Sequence, residues 1–326
     1  MVEIDGGKGG VGNRIVNRTL VVTSLVVTIL LLFLVLEETT YLDFEELILK
    51  LEWGWLFFAL ILTMFYHLIR TARVCVYLMD RSLFFELFPT LCFHAVLMRI
   101  LPGWLGELGF VGLLRVRHNI QASTATALLL SVRFLDLLML GVSFLAVMFF
   151  SDLVGTLMLD AVVVDVLVCL ILAAILLFTL GAVKRRGVSE QKADETKGVR
   201  SFLLKVREGF QTNVCEKVFL TFTMWVVMFA VFICYIKALT PLISFETVFF
   251  LYILIFPFNL LPIRGVANLG VHEATWFTVL SLLGVEHSLA ASVSIASHVL
   301  ILMITACLFL ISVVLLRFEK FKSSEM

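Results

Sequence analysis

Arg99, Glu107, Arg133, Asp136, Arg264, His272 and Glu273 stand in stretches that are otherwise almost wholly apolar. A charge at the centre of a bilayer costs at least about 2.5 kcal/mol, and more without a partner, so such residues mark function by default. Arg133 and Asp136 are three apart, which on a helix places them on one face where they can pair. An internal ion pair that locks packing and a substrate contact are equally compatible with that spacing. Arg99 immediately precedes Ile100-Leu101-Pro102, where a helix must break, and Glu107 follows Gly106 at the start of the next helical segment. A carboxylate there meets the positive end of the helix dipole, so capping alone can account for Glu107. A guanidinium at a break is harder to dismiss, because it offers a fixed fork of donors to a phosphate. Arg264 follows Pro262, and His272-Glu273 open the following segment. Arg264 and Glu273 can neutralise one another. Arg264 with Arg99, however, places two guanidiniums near one cavity, which suits an anionic headgroup better than a cation or a sugar alone. His298 reads as a hydrogen-bonded packing residue rather than a proton relay. His67, Arg70 and Arg73 read as the cytoplasmic end of a helix whose arginines snorkel to lipid headgroups.

No catalytic constellation accompanies these groups. His272-Glu273 is followed by Ala274-Thr275-Trp276, without the second His of a zinc-binding H-E-x-x-H pattern, and no nucleophile-base-acid motif is visible. The six cysteines, Cys75, Cys92, Cys169, Cys215, Cys234 and Cys307, form no C-x-x-C pair and read as small apolar packing residues. The tail Gly6-Gly7-Lys8-Gly9-Gly10-Val11-Gly12-Asn13-Arg14 has Asn and Arg where a phosphate-binding loop needs Lys and Ser or Thr, so it reads as a glycine-rich tail. No cofactor is expected.

The elements that must position these residues follow from composition. Of 326 residues 61% are hydrophobic and 15% charged, 30 are Phe, and the mean hydropathy is +1.07. A soluble domain carries about 25% charged residues. The chain is a membrane protein, with no room for a separate soluble domain of about 100 residues or more. Its 25 basic and 25 acidic residues balance, so nothing argues for nucleic acid. A spanning helix needs roughly 20 apolar residues. Six stretches qualify, at 19–36, 53–79, 123–150, 161–183, 216–239 and 288–316. The first has no small-residue cleavage pattern and stops at Glu37, which predicts a retained helix rather than a removed signal peptide.

Two further stretches, 83–116 and 245–285, are too long for one helix and are interrupted by Pro and Gly. Lys and Arg gather in the N-terminal tail, around Arg70 to Arg81, at Arg115 and Arg117, between Lys184 and Lys217, and after Arg317, which places all of these in the cytoplasm. Parity then requires 83–116 to enter and leave on the cytoplasmic face and 245–285 on the opposite face. The predicted fold is an all-α polytopic membrane protein, with about six spanning helices and two re-entrant helical hairpins arranged as an inverted repeat. The expected organisation is a cytoplasmic tail at 1–18, a transmembrane domain at 19–316 and a second tail at 317–326. Within that domain the repeats cover 19–150 and 161–316, with a basic cytoplasmic loop at 184–215. In that loop Val199 to Arg207 has the spacing of an interfacial helix, a solvated linker being the alternative.

The run Arg99-Ile-Leu-Pro-Gly-Trp-Leu-Gly-Glu107, then Arg115, then Ser131-Val-Arg133-Phe-Leu-Asp136, and finally Leu261-Pro262 through Leu269-Gly270-Val271-His272-Glu273 resembles the transmembrane region of the lysylphosphatidylglycerol synthase and flippase family. The similarity extends over essentially the whole chain. It implies a flippase-like domain standing alone, without the C-terminal aminoacyl-transfer domain of the synthases, and hence no enzyme activity. One departure is Ala267-Asn268, where the family usually has paired glycines.

The expected function is a flippase or transporter in the cell membrane, both termini cytoplasmic, binding an anionic lipid or a polyprenyl-phosphate-linked glycan between the two repeats. Arg99, Glu107, Arg133, Asp136, Arg264, His272 and Glu273 are its expected substrate-binding residues. Two alternatives stand beside it: a non-transporting accessory subunit of a glycosyltransferase or lipid-modifying enzyme, and a membrane-embedded enzyme using Glu107 or His272 as a base.

Overall fold

The computed structural model describes residues 47, 49–101, 105–150, 202, 205–206, 209, 212–260 and 266–324. The expected helices at 19–36 and 161–183, the glycine-rich tail, Cys169, Arg264 and most of the 184–215 loop lie outside the described residues. Among the described residues the secondary structure is entirely helical: α1 (Trp53–Leu78), α2 (Phe84–Ile100), α3 (Leu105–His118), α4 (Ala122–Phe150), α5 (Val214–Leu239), α6 (Phe245–Leu260), a 3₁₀ turn (Val266–Asn268), α7 (Val271–Leu282) and α8 (His287–Ser324).

Four helices are long and apolar enough to cross a membrane, over Trp53–Leu78, Ala122–Ser143, Val214–Leu239 and His287–Phe318. They coincide with four of the six stretches expected from hydropathy. α8 continues to Ser324, past the expected boundary at 316. The other four helices, of 17, 14, 16 and 12 residues, are each shorter than the roughly 20 residues a span requires. They come as two consecutive pairs, α2 with α3 and α6 with α7, over the stretches interrupted by Pro and Gly.

The break between α2 and α3 and the end of α1 have local causes. Leu101 is extended (φ −80°, ψ 139°), the conformation a following proline imposes on the residue before it, and α2 ends there. α1 ends at Met79 in the left-handed region (φ 55°), with the Met79 and Asp80 amides donating back to the Val76 and Cys75 carbonyls. α3 folds back closely on α2 because Gly106 has no side chain: a Cβ there would lie 3.0 Å from the Met98 Cα.

α1 packs along α5 more extensively than any other described pair, and α8 packs against α2 and α7. The largest apolar cluster joins α1, α2, α5, α6, α7 and α8 through residues such as Ala59, Cys92, Ile236, Leu251, Trp276 and Ala296. A separate cluster, with Val74, Leu87, Leu91, Phe110, Leu114 and Leu128, holds α1 to the α2–α3 pair and α4. Cys75, Cys92, Cys215, Cys234 and Cys307 are free thiols. The helical residues Phe202, Lys205, Val206 and Gly209 bear on the expected interfacial helix. This segment docks on the protein: Val206 is buried, and the Lys205 ammonium donates to Gln121, Ser123 and Thr124 where α4 begins.

Gly106→Ala forces apart two backbones. The expected loss is about 1–3 kcal/mol, read as a lower unfolding midpoint in detergent. Gly112→Ala, which meets nothing within 4 Å, leaves the midpoint unchanged or raises it.

Candidate functional site

A cavity of about 270 Å³ lies among α1, α2, α3, α4, α5, α6, α7 and α8, with the turn before α7 closing one side. Arg70, Arg73, Arg99, Arg133, Glu107 and Asp136 are its charged lining. Of the seven residues singled out in the sequence, Arg99, Glu107, Arg133, Asp136 and His272 border it. Glu273 is buried behind the lining, and Arg264 lies outside the described residues.

Arg70 and Arg73 correct the expectation that they snorkel to the lipid surface. They stand eight and five residues before the end of α1, about 12 Å and 8 Å along its axis, and turn inward. The Arg73 side chain is only 3% exposed; its Nη1 donates to Asp136 Oδ1 at 2.7 Å and to Thr221 Oγ1 at 3.3 Å. His67, Arg70 and Arg73 recur every third residue of an apolar helix, and that polar stripe is the signal that an assignment from end-of-helix charge passes over.

Arg133 and Asp136 do approach, at 3.7 Å, as their spacing requires. Each nevertheless has a closer partner on another helix, Asp136 with Arg73 on α1 and Arg133 with Glu107 on α3. Capping is therefore not what holds Glu107. The four groups form a chain Arg73–Asp136–Arg133–Glu107 that ties α1, α4 and α3 around the cavity wall. The Arg73–Asp136 link is almost fully buried, so losing one partner strands a charge in a poorly polar interior.

Neutral groups orient Arg70. Its Nη1 donates to the Leu91 carbonyl at 3.4 Å, and its Nη2 faces His94 Nδ1 at 2.5 Å. A guanidinium only donates, so Nδ1 is the acceptor, and the proton on Nε2 is donated to the Gly106 carbonyl at 3.1 Å. This relay connects α1 to the break between α2 and α3, one residue before Glu107.

A second relay supports the turn before α7. His298 Nε2 donates to the Ala267 carbonyl at 3.0 Å, while Nδ1 lies 2.6 Å from Glu273 Oε1. Glu273 Oε2 accepts from the Gly270 amide at 2.8 Å, the backward half of a capping box. His298 is thus the hydrogen-bonded packing residue that the sequence suggested, engaged through both ring nitrogens. Within the turn Ala267, Asn268 and Gly270 have φ of 54°, 59° and 78°. Ala267-Asn268 therefore occupies, in the left-handed region, the two places where glycine is favoured, and a non-glycine residue there costs about 1–2 kcal/mol. The network presents Asn268 and His272 to the cavity. His272 stacks between Trp276 and His298, and its Nε2 lies 3.1 Å from Ser297 Oγ. Ser297 gives its only proton to the Ser294 carbonyl, so His272 Nε2 is the donor.

Among the described residues no group of His, Cys, Asp and Glu is arranged to hold a metal ion. A cavity with charged lining residues among four helices long and apolar enough to cross a membrane defines the class: a polytopic helical membrane protein. Residues 21–308 match the family described as lysylphosphatidylglycerol synthase TM region, and the chain belongs to that family. No curated protein and no solved structure matches it.

Asp136→Ala leaves Arg73 buried without its counter-charge, and the expected loss is about 3–5 kcal/mol of stability. Adding Arg73→Met recovers most of that loss in the unfolding midpoint; a double variant as unstable as the single one would show that the pair does not act as a unit.

Proposed function

We propose that the protein is a flippase or transporter that binds the anionic headgroup of an amphipathic lipid, or of a polyprenyl-phosphate-linked glycan, in this cavity and passes it between leaflets. One observation carries the reading: four arginines against two carboxylates around a cavity at membrane depth. Arg99, Arg70 and Arg133 contact the anion, Glu107 and Asp136 hold Arg133 and Arg73 in place, and His272 contributes a polar contact. Glu273 fixes the turn that carries His272, and Arg264, which lies outside the described residues, is assigned to the site on its sequence position alone. A cavity, rather than dry packing, supports transport over the role of accessory subunit to a glycosyltransferase or lipid-modifying enzyme. Among the described residues no metal-binding group accompanies Glu107 or His272, and the hydroxyl beside His272, that of Ser297, is not on the cavity lining, so an enzymatic reading gains no support.

The topology that suits this function has six spans and two re-entrant hairpins, α2–α3 and α6–α7, entering from opposite faces of the cell membrane in an inverted repeat, with both termini cytoplasmic. The paired short helices and their breaks support it.

In liposomes with fluorescent anionic lipid, Arg99→Ala is expected to slow leaflet exchange roughly tenfold or more in protein that still elutes as a folded species. Exchange at the unaltered rate, with Arg264→Ala equally silent, would overturn the transport reading. Single cysteines replacing Leu83 and Arg117 in a cysteine-free background are expected to label from the same side of the membrane; labelling from opposite sides would remove the first hairpin.

A further inference from the structure

We infer that the headgroup this cavity accepts ends in a doubly charged phosphate, a lipid phosphomonoester or diphosphate, and not a phosphodiester. The inference rests on the anionic-lipid reading above and narrows it by charge.

The two lining carboxylates are each matched. Asp136 takes Arg73 and Glu107 takes Arg133. Arg70 and Arg99 then have no carboxylate partner among the described residues. Arg70 is held by two neutral acceptors, the Leu91 carbonyl and His94. Arg99 makes no hydrogen bond or ion pair with any described residue, yet it borders the cavity and is partly buried. Among the described residues, two guanidinium charges on the cavity lining therefore remain without a carboxylate. In a region of low dielectric a doubly charged ligand costs more to desolvate than a singly charged one, and that cost is offset by pairing with both guanidiniums, each of which is otherwise left as a buried charge without its counter-ion. A phosphodiester leaves one guanidinium unmatched, and a zwitterionic or cationic headgroup leaves both.

Hydrogen-bonding capacity points the same way. Arg73 Nε is a buried donor without a partner, and His67 Nδ1, a donor in one of the two tautomers, is also buried and unpartnered on the same lining. Glu107 Oε2 and Asn268 Oδ1 are unpartnered acceptors; the first belongs to a carboxylate already neutralised by Arg133, and the second to an amide that also carries donors. A terminal phosphate offers more acceptor oxygens than a diester and donates little. At about 270 Å³ the cavity has room for one or two phosphate groups.

The test measures retention of dioleoyl phosphatidic acid and dioleoyl phosphatidylglycerol by the full chain in detergent, from pH 5 to 7.5. A phosphomonoester gains its second charge near pH 6, so phosphatidic acid is expected to bind more tightly as pH rises through that value. At pH 7.5 it should exceed phosphatidylglycerol by roughly tenfold or more. The diester, singly charged throughout, monitors any contribution from the other titratable lining groups, His67, His94, His272, Tyr66, Tyr235 and Tyr252. Arg99→Gln and Arg70→Gln should each abolish most of the preference, and Arg99→Lys should keep part of it, which separates lost charge from lost folding. Equal binding of the two lipids, both weakened by Arg99→Gln, would overturn the double charge and leave the anionic-lipid reading standing. Binding of both lipids indifferent to Arg99→Gln and Arg70→Gln would overturn both. Displacement of phosphatidic acid by an equal concentration of inorganic phosphate would reassign the site to free phosphate and overturn the lipid terminus.

Discussion

Burial of the Arg73–Asp136 pair is the constraint on which the rest of the cavity wall depends. Between helices surrounded by lipid there is little hydrophobic driving force, because acyl chains are as apolar as leucine; close packing and polar contacts decide which helices associate. An arginine and an aspartate facing one another across α1 and α4, with Thr221 of α5 as a further acceptor, fix three helices at once. Neither charge has an inexpensive alternative in hydrocarbon, so the contact specifies an arrangement as well as stabilising it. The chain then extends through Arg133 to Glu107, which anchors the start of α3 and so the geometry of the first break.

The two breaks are held by related means. At the first, His94 donates to the carbonyl of Gly106; at the second, His298 donates to the carbonyl of Ala267. Backbone groups freed by an interrupted helix must find partners, and at each break an imidazole N–H supplies one. An acidic side chain follows each break, but the two have different duties. Glu107 borders the cavity and pairs with Arg133, whereas Glu273 gives one oxygen to its own turn and the other to His298 of α8. The second turn also carries Ala267 and Asn268 in left-handed backbone, a strained pair maintained by the hydrogen bonds around it and placed where Asn268 reaches the cavity.

Much of this was legible in the sequence, for physical reasons that can be named. A span needs a long uninterrupted apolar run, and α1, α4, α5 and α8 each announce themselves that way. Pro102 made the end of α2 visible, since the residue before a proline leaves the helical region. Charges that are costly in lipid marked Arg99, Glu107, Arg133, Asp136 and His272 as cavity candidates, and all five border it. Partners were less legible than positions. Spacing along one helix can propose Arg133 with Asp136, but only the packing of three helices shows Arg73 displacing Arg133 as the closer partner. Arg70 and Arg73 were misplaced because a cluster of basic residues near a helix end reads as a membrane boundary; their three-residue recurrence with His67 turned out to be the better guide.

An experimental structure of the protein in lipid nanodiscs containing phosphatidic acid would test the central claim most directly. The account predicts phosphate density within the cavity, against the Arg99 and Arg70 guanidiniums, with Arg73 still bound to Asp136. A cavity closed by its own side chains, or a headgroup resting outside it with Arg99 turned to the bilayer surface, would contradict it.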